Sequence, residues 1–319
     1  MRRRASKAQA GSLLIITLWI ITILSVVAVA LARSLSVELR LTKYRLAHEQ
    51  AKALARSGVY WAMQRLAEDI KEDQVDWLQD DWASFAGNPV DPAMWIVPVE
   101  GAGPARMKGQ VRIRITDEER RLDLNSASAA VLGQFVGDVP DVGQAIVDYR
   151  DAADPTEDQP NAQPPYYAKN APLTVLEEMF DIPALREHPE VAPVLRAETT
   201  VASAGKVNVN TASARVLQAK KGTTPGSELI PLFVERRETD TRCRYSSDAG
   251  SIQLIADCLQ TAPQAVQNLV AGLEFQSAVF RVVAEGVVKE PAVAHRVEVI
   301  VKRAASAPSA SQILSWKEG

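Results

Sequence analysis

A charge-free apolar segment near the N-terminus constrains this chain more than any other feature. Residues 12–32 carry no charged side chain, and about 20 apolar residues suffice for a helix to cross a bilayer. The basic leader that precedes this segment predicts a cytoplasmic N-terminus and a translocated body. Gly11 lies before the apolar segment, whereas a secretory signal places small residues after a shorter one. The pattern therefore predicts a removable leader over 1–11 and a transmembrane helix over 12–32 that stays on the mature protein.

The composition allows a packed protein and gives no sign of a nucleic-acid binder. The 319 residues leave room for a membrane anchor and about two globular domains. An apolar fraction of 47% supports a packed core, and a formal net charge of -3 gives no overall attraction for phosphate backbones. The histidines His48, His188 and His295 are scattered, and the sequence has no nucleophile elbow, phosphate loop or paired-carboxylate motif. We therefore expect a non-enzymatic protein.

The only cysteines, Cys243 and Cys258, leave two interpretations open. Outside the cytoplasm they would pair and close a short loop, which adds up to about 3 kcal/mol of stability. In a reducing compartment they would remain free thiols. A metal site is disfavoured because no histidine or third cysteine lies near them in the sequence. Given the predicted anchor, we favour the disulfide.

The apolar periodicity predicts that the transmembrane helix continues into the body. From Arg33 to about Glu72 there is no proline, and apolar residues recur at helical spacing. The residues of this stripe are Leu35, Leu39, Leu46, Ala47, Leu54, Ala62, Met63 and Leu66. We expect the stripe to pack on the protein's own domain, so that one long helix is embedded in lipid over its first half and supports the body with its second half.

The order of the remaining segments predicts an α+β fold. Alternating apolar and polar residues indicate strands over 95–99 and 109–116, and strand patterns return only over 277–288 and 294–303. Short helical groups separated by Pro, Gly, Asn and Asp fill the interval. A long helix packed on a small antiparallel sheet, with a large helical domain inserted between strands, accounts for this order.

Domain boundaries follow from the same pattern. We assign 33–118 to the first part of the body, 119–274 to the inserted helical domain and 275–303 to the last strands. The final residues, 304–319, are predicted to be a flexible tail in which Trp316 does not dock.

A degenerate repeat divides the inserted domain into two helical modules. The segments 121–135 and 206–220 share one sequence frame. In each, an asparagine is followed by Ser or Thr and then by Ala-Ser-Ala-x-Val-Leu. Because chance rarely repeats such a frame, we predict related modules over 121–185 and 206–273. In each module an asparagine is expected to end an extended piece, and the hydroxyl that follows it to cap the next helix. The residues concerned are Asn125 and Ser126 in the first module and Asn210 and Thr211 in the second.

The first module continues over 135–152 with a segment similar to a helix-hairpin-helix motif. In that motif two hairpin glycines let backbone amides approach a DNA phosphate. Here Asp141 replaces the first glycine and Gly143 keeps the second, and Arg150 is the only cation among many nearby carboxylates. Phosphate contact depends on a local excess of Lys and Arg. A membrane-anchored helix-hairpin-helix DNA-binding protein of natural transformation is therefore the alternative, and this charge pattern disfavours nucleic-acid binding.

A proline-rich acidic loop follows the hairpin. Its carboxylates can converge on a hard cation such as calcium, and a solvated loop without metal is the competing and favoured interpretation. The candidate ligands are Asp151, Asp154, Glu157 and Asp158.

Several segments together resemble the type II secretion minor pseudopilin family called GspK. The junction Ala10-Gly11-Ser12 followed by LLIITLWI is similar to the family's prepilin-peptidase site and membrane helix. Further similar segments are ITDEERRLDLNSASAAVL, AIVDYRDAADP, KNAPLTVLEEMFDIPAL, KVNVNTASARVL and FRVVAEG. The resemblance extends over residues 8–303, and no single motif carries it.

The resemblance implies a pilin-like fold and a role at the tip of a periplasmic pseudopilus that exports folded proteins. It implies binding to the I and J minor pseudopilins, with other pseudopilins and inner-membrane secretion components as further partners. Prepilin peptidase would cleave after Gly11 and leave Ser12 as the N-methylated terminus of a single-pass inner-membrane protein with a periplasmic body. The family's helical domain is associated with calcium, although Ala153 and Asp154 depart from its usual acidic pattern. The inserted domain disfavours a minor pilin of a type IV pilus.

One position in the apolar segment differs from ordinary pilins. Those proteins carry a glutamate at the fifth mature position, whose burial in lipid costs several kcal/mol unless it is paired. The partner is thought to be the N-terminal amine of a neighbouring subunit. Here the position is Ile16. A subunit with no neighbour above it has no amine to neutralise, so Ile16 is consistent with a tip position. In an ordinary single-pass anchor, an apolar residue is expected there anyway.

Overall fold

The computed structural model describes residues 8–72, 74–84, 94–100, 108–137, 139, 141–151, 168–304 and 311–319. The strands are β1 (Trp95–Glu100), β2 (Lys108–Asp117), β3 (Leu122–Asp123), β4 (Thr199–Thr200), β5 (Val279–Lys289), β6 (Ala292–Lys302) and β7 (Gln312–Glu318). The α-helices are α1 (Ala8–Glu72), α2 (Ala129–Val136), α3 (Val142–Arg150), α4 (Pro183–Glu187), α5 (Ala192–Glu198), α6 (Ala214–Lys221), α7 (Ile230–Arg237), α8 (Ser251–Leu259) and α9 (Pro263–Val270). Short 3-10 helices span Leu176–Asp181, Pro189–Val191, Ser227–Leu229 and Thr241–Cys243.

Helix α1 dominates the shape of the chain. It is continuous over 65 residues because no proline interrupts it. At 1.5 Å per residue it is about 98 Å long, roughly three times the hydrocarbon thickness of a bilayer. By length and composition it can cross a membrane.

The body covers only the second part of the apolar stripe on α1. Five stripe residues are buried against the sheet, namely Ala47, Leu54, Ala62, Met63 and Leu66. By contrast, Leu35, Leu39 and Leu46 are 50%, 63% and 55% exposed. The prediction that the whole stripe packs on the protein's own domain is therefore wrong for these three leucines. Helical periodicity identifies an apolar face, but it does not identify what covers that face.

The sheet that supports α1 has five strands in the order β1-β2-β5-β6-β7. All neighbours are antiparallel, and alternate residues of β5 and β6 are buried beneath the helix. Helix and sheet approach most closely at Gly286, where an added Cβ would lie 2.0 Å from the carbonyl oxygen of Ala51. Strands β2 and β5 are sheet neighbours, yet the whole helical domain lies between them in sequence.

The C-terminal segment is not the flexible tail that was predicted. Residues 312–318 form β7, which pairs with β6 at the edge of the sheet. Trp316 packs against the body core, and Glu318 accepts hydrogen bonds from Arg56 of α1 and from the indole N–H of Trp316. The strand forms because its residues find a pleated partner and cations on α1, a nonlocal environment that a local pattern does not reveal.

The helical domain has a core of its own. Its buried residues run from Leu122 to Leu273 and include Phe135, Leu195 and Phe233. The body core is a separate cluster made by α1 and the five-stranded sheet. The inserted segment is therefore a packed unit joined to the body near the ends of β2 and β5.

Candidate functional site

The two sequence repeats occupy equivalent places in the helical domain. In the first, the side-chain amide of Asn125 donates to the carbonyl of Leu173 at 2.9 Å and accepts from the same residue's N–H at 2.8 Å. In the second, Asn210 makes the same pair of bonds with Tyr245, each at 2.9 Å. Each asparagine therefore fixes a distant extended segment against the start of its own module.

A buried arginine completes each module. Arg150, the last residue of α3, donates to the carbonyl oxygen of Leu124. Arg237, at the equivalent end of α7, donates to the carbonyl oxygen of Val209. Both acceptors directly precede a repeat asparagine. The two sequence repeats therefore make equivalent hydrogen bonds in the folded protein.

The predicted helix caps are wrong by two positions. Ser128 and Ser213 are the N-caps of α2 and α6, and their hydroxyls accept from Val131 and Val216 at 3.4 and 3.3 Å. Ser126 lies in a turn before α2. The Thr211 hydroxyl instead donates to the Asp117 carboxylate at 2.5 Å. The turn after each asparagine delays the start of the helix, so the second hydroxyl of the frame meets the free N–H groups.

The first module is longer than predicted. Its opening strand β3 pairs in parallel with β4, which closes the module at Thr200 rather than at residue 185. In the second module Asn208 forms the equivalent parallel bridge with Glu274. Helices α4 and α5 therefore belong to the first module.

The hairpin of the first module packs like a helix-hairpin-helix but carries the wrong charge for phosphate. A Cβ at Gly143 would lie 2.5 Å from the carbonyl oxygen of Ala129, so this glycine permits close contact of α3 with α2. Asp141 has a φ of +63° and is the residue from which α3 begins. An exposed carboxylate therefore stands at the helix N-terminus, where an anionic phosphate would have to approach.

A disulfide closes the loop between α7 and α8. Cys243 and Cys258 are bonded, with their Cα atoms 5.8 Å apart. Both cysteines are buried. The bond fixes the segment that contains Tyr245, the residue held by Asn210.

The predicted calcium loop lies almost wholly outside the described residues. Asp154, Glu157 and Asp158 fall outside them. Asp151 is exposed, and its carboxylate accepts from Nε of Arg150 at 2.9 Å. Calcium binding at this loop stays a prediction.

A buried polar network joins the body to the second module, and the sequence patterns did not reveal it. The amide of Asn208 donates to the carbonyl of Asp76 at 3.1 Å and to the hydroxyl of Ser277 at 2.8 Å. Ser277 and Thr211 both donate to Asp117, at 2.7 and 2.5 Å. The only local signal is the run of three acids that begins at Asp117, where β2 ends.

Three carboxylates meet beside this network. Oxygens of Asp69, Asp76 and Asp80 all lie within 4.8 Å of one another. Such a cluster can hold a cation, and the guanidinium of Arg303 already provides a positive charge there. Arg303 donates to Asp69 at 3.1 Å and to Asp76 at 2.6 Å.

Burial raises the pKa values of several acids at this junction, which favours their neutral, protonated forms. Desolvation, followed by repulsion from Asp80 and Asp76, raises the pKa of Asp69 to about 8. Desolvation raises the pKa of Asp80 to about 6. It also raises the pKa of Asp117 to about 6, although Thr211 and Ser277 donate to this carboxylate. Burial and the nearby charge of Asp117 raise the pKa of Glu119 to about 7.

The predicted processing residues lie on α1. Gly11 and Ser12 fall within the helix, which begins at Ala8. Ile16 is exposed on the apolar part of the helix, with neighbours that are also exposed. Gly11, Ser12 and Ile16 therefore lie near the start of α1, distant in sequence from the residues of the junction network.

A long helix on an antiparallel sheet, with a helical domain inserted between β2 and β5, defines the pilin-like α+β class. Within that class the chain is similar to a chain in "The Crystal Structure of the GspK-GspI-GspJ complex from enterotoxigenic Escherichia coli Type 2 Secretion System". The TM-score is 0.57 at 17% sequence identity, and the match covers 87% of this chain and 99% of that chain. The chain therefore has a GspK-like fold. No protein-family model matches the sequence, and no curated protein does.

Proposed function

We propose that this chain is a non-enzymatic minor pseudopilin of a type II secretion system, located at the tip of the pseudopilus. The observation that carries the proposal is the GspK-like fold, because the match covers 99% of the similar chain and 87% of this one. Its work is assembly: it starts and caps a filament whose growth moves folded proteins through the outer membrane.

Membrane insertion fits this role. The basic leader before the apolar first part of α1 favours a cytoplasmic N-terminus and a periplasmic body. Prepilin peptidase then cleaves after Gly11, and Ser12 becomes the mature, methylated terminus. The disulfide between Cys243 and Cys258 agrees with an oxidising compartment.

The uncovered part of α1 offers the contact surface. Leu35, Leu39 and Leu46 lie between the lipid-spanning segment and the body, and each is at least half exposed. Exposed apolar side chains in a row favour burial against another molecule. The similar crystal structure is a complex of GspK with GspI and GspJ. We infer that I-type and J-type minor pseudopilins pack on this surface and on the adjoining sheet, with other pseudopilins and inner-membrane components as further partners.

Ile16 supports a position at the top of the filament. A buried carboxylate in lipid needs a partner, and a terminal subunit has no neighbour above it to supply one. An isoleucine avoids that cost.

The DNA-binding alternative is disfavoured by the hairpin. The exposed carboxylate of Asp141 stands where a phosphate would bind. A gel shift over a series of salt concentrations separates the two functions. Tight duplex binding that weakens steeply with salt would support the alternative and contradict the pseudopilin proposal.

The test of the proposal is processing by prepilin peptidase. The wild-type chain, co-expressed with the peptidase, should yield a product whose first residue is Ser12, read by mass spectrometry. Gly11→Ala should remain uncleaved. Gly250→Ala serves as the matched control, because an added Cβ there has open space and the site lies far from the leader. Normal cleavage of Gly11→Ala would contradict the assignment.

A further inference from the structure

Five carboxylates from four parts of the chain lie near the place where the helical domain joins the body. Asp69 comes from α1, Asp76 and Asp80 from the segment after it, Asp117 from the end of β2, and Glu119 from the turn that follows. The first three approach within 4.8 Å. Asp76 and Asp117 are joined through Ser277, whose N–H donates to Asp76 at 2.7 Å and whose hydroxyl donates to Asp117 at 2.7 Å.

Within the described part of the chain, the cations that face this cluster are fewer than its acids. Arg303 donates to Asp69 and Asp76. The positive charge of Arg244 lowers the pKa of Asp80, and that of Lys206 lowers the pKa of Glu119. When all five carboxylates are ionised, they exceed these three cations by two among the described residues, at a site where Asp76, Asp117 and Glu119 are buried and Asp69 and Asp80 are partly buried.

Two other groups of described charges lie next to the cluster and have partners of their own. Glu118 binds Arg281, with Arg121 at 3.6 Å. Arg65 lies one helical turn before Asp69 on α1, and it binds Glu68 and Asp81, so its charge is already matched by two acids. Neither set offsets the excess charge of the cluster.

The contacts between helical domain and body run through the same groups. Thr211 donates its hydroxyl proton to Asp117. The N–H of Asn208 donates to the carbonyl oxygen of Glu119 at 2.8 Å, and its side chain donates to the carbonyl of Asp76. Repulsion among the carboxylates therefore acts directly on the backbone that joins the two units.

We propose that the junction is a proton-dependent contact: it is tight while the cluster holds protons, and it loosens as the cluster ionises. The consequence is that the helical domain is held rigidly against the body in mildly acidic surroundings and gains freedom in alkaline ones. This inference concerns the junction alone, and it stands whether or not the chain works in secretion.

The direction of the pH effect follows from burial. Burial raises the pKa values of Asp80 and Asp117 to about 6, of Glu119 to about 7 and of Asp69 to about 8, all above the ordinary values of these acids. A group with a raised pKa in the folded state gives its full stabilisation below its ordinary pKa. The stabilisation is lost as the pH rises through the folded value. The junction should therefore weaken from about pH 4 to about pH 8, and the loss above about pH 6 comes mainly from Glu119 and Asp69.

Hydrogen exchange of the full chain in detergent micelles tests the proposal. Exchange is followed by mass spectrometry from about pH 6 to about pH 9, in a chelating buffer, and corrected for the intrinsic rate. The N–H groups of Asp76, Asn208 and Ser277 should lose about tenfold or more in protection. The amides of Val282–Ala284, at the centre of β5, should keep theirs. Protection at the junction that does not depend on pH would overturn the proposal.

Two variants locate the effect. Asp69→Asn removes one ionisable group at nearly constant size and should reduce the loss of protection to about threefold or less. The matched control is Asp81→Asn, whose carboxylate is 72% exposed and lies outside the cluster. It should respond to pH like the wild type. If Asp69→Asn fails to fold, as judged by the β5 amides, Asp80→Asn takes its place. Equal responses in all variants would also overturn the proposal.

Discussion

Substitution of Gly286 by alanine tests how closely α1 must approach the sheet. The added methyl carbon would lie 2.0 Å from the carbonyl oxygen of Ala51, 2.7 Å from the nitrogen of Ala55 and 2.8 Å from Cβ of Leu54. A comfortable carbon–oxygen contact is about 3.3 Å, so the helix must move by about 1.3 Å or the strand must bend. Overpacking costs about 1–3 kcal/mol. We expect about 3 kcal/mol, because the blocked atoms are helix backbone and cannot rotate away.

Thermal unfolding of the full chain in detergent micelles measures this cost. At about 2–4 °C per kcal/mol, Gly286→Ala should lower the Tm of the body by about 6–12 °C. Tryptophan fluorescence is a suitable signal because Trp82 is buried in the body core. The matched control is Gly133→Ala in α2, where an added Cβ meets nothing within 4 Å. This change should stabilise its helix by about 0.5–1 kcal/mol. A Gly286→Ala protein that melts within about 1 °C of the wild type would refute the packing argument.

Three further changes have predicted effects on stability. Replacing both Cys243 and Cys258 by serine should cost about 3 kcal/mol, and a reductant should destabilise only the wild type in urea titrations. Arg303→Met leaves the buried carboxylate of Asp76 and the partly buried one of Asp69 without their guanidinium, so it should cost about 3–5 kcal/mol. Arg296→Met, at an exposed pair, should cost under about 1 kcal/mol, and equal losses would contradict the buried role of Arg303. Removing residues 311–319 should cost about 2 kcal/mol through the lost packing of Trp316. An unchanged Tm would show that this segment does not stabilise the body.

The sequence predicted the architecture because periodicity and segment order are local signals. The long helix needed only an apolar stripe without proline, and the insertion was visible as helical groups between two pairs of alternating strands. The repeated frame around Asn125 and Asn210 predicted two modules, and both asparagines do hold equivalent contacts.

The errors arose where long-range contacts decide the outcome. Strand β7 depends on pairing with β6, which no local pattern encodes. The caps moved to Ser128 and Ser213 because the turn before each helix is two residues longer than the frame indicates. The junction network brings together Asp76, Asn208 and Ser277 from distant parts of the chain. Nothing in the spacing of such residues predicts their contact.

Co-purification with the neighbouring minor pseudopilins tests the central claim most directly. The tagged full chain is expressed in membranes together with I-type and J-type minor pseudopilins, solubilised in detergent and recovered on the tag. We predict that the three proteins elute together in a fixed ratio. Leu39→Asp on the uncovered part of α1 should release the partners, whereas Leu254→Asp, exposed on α8, should not. Elution of the tagged chain alone, while the I and J proteins still bind each other, would contradict the account.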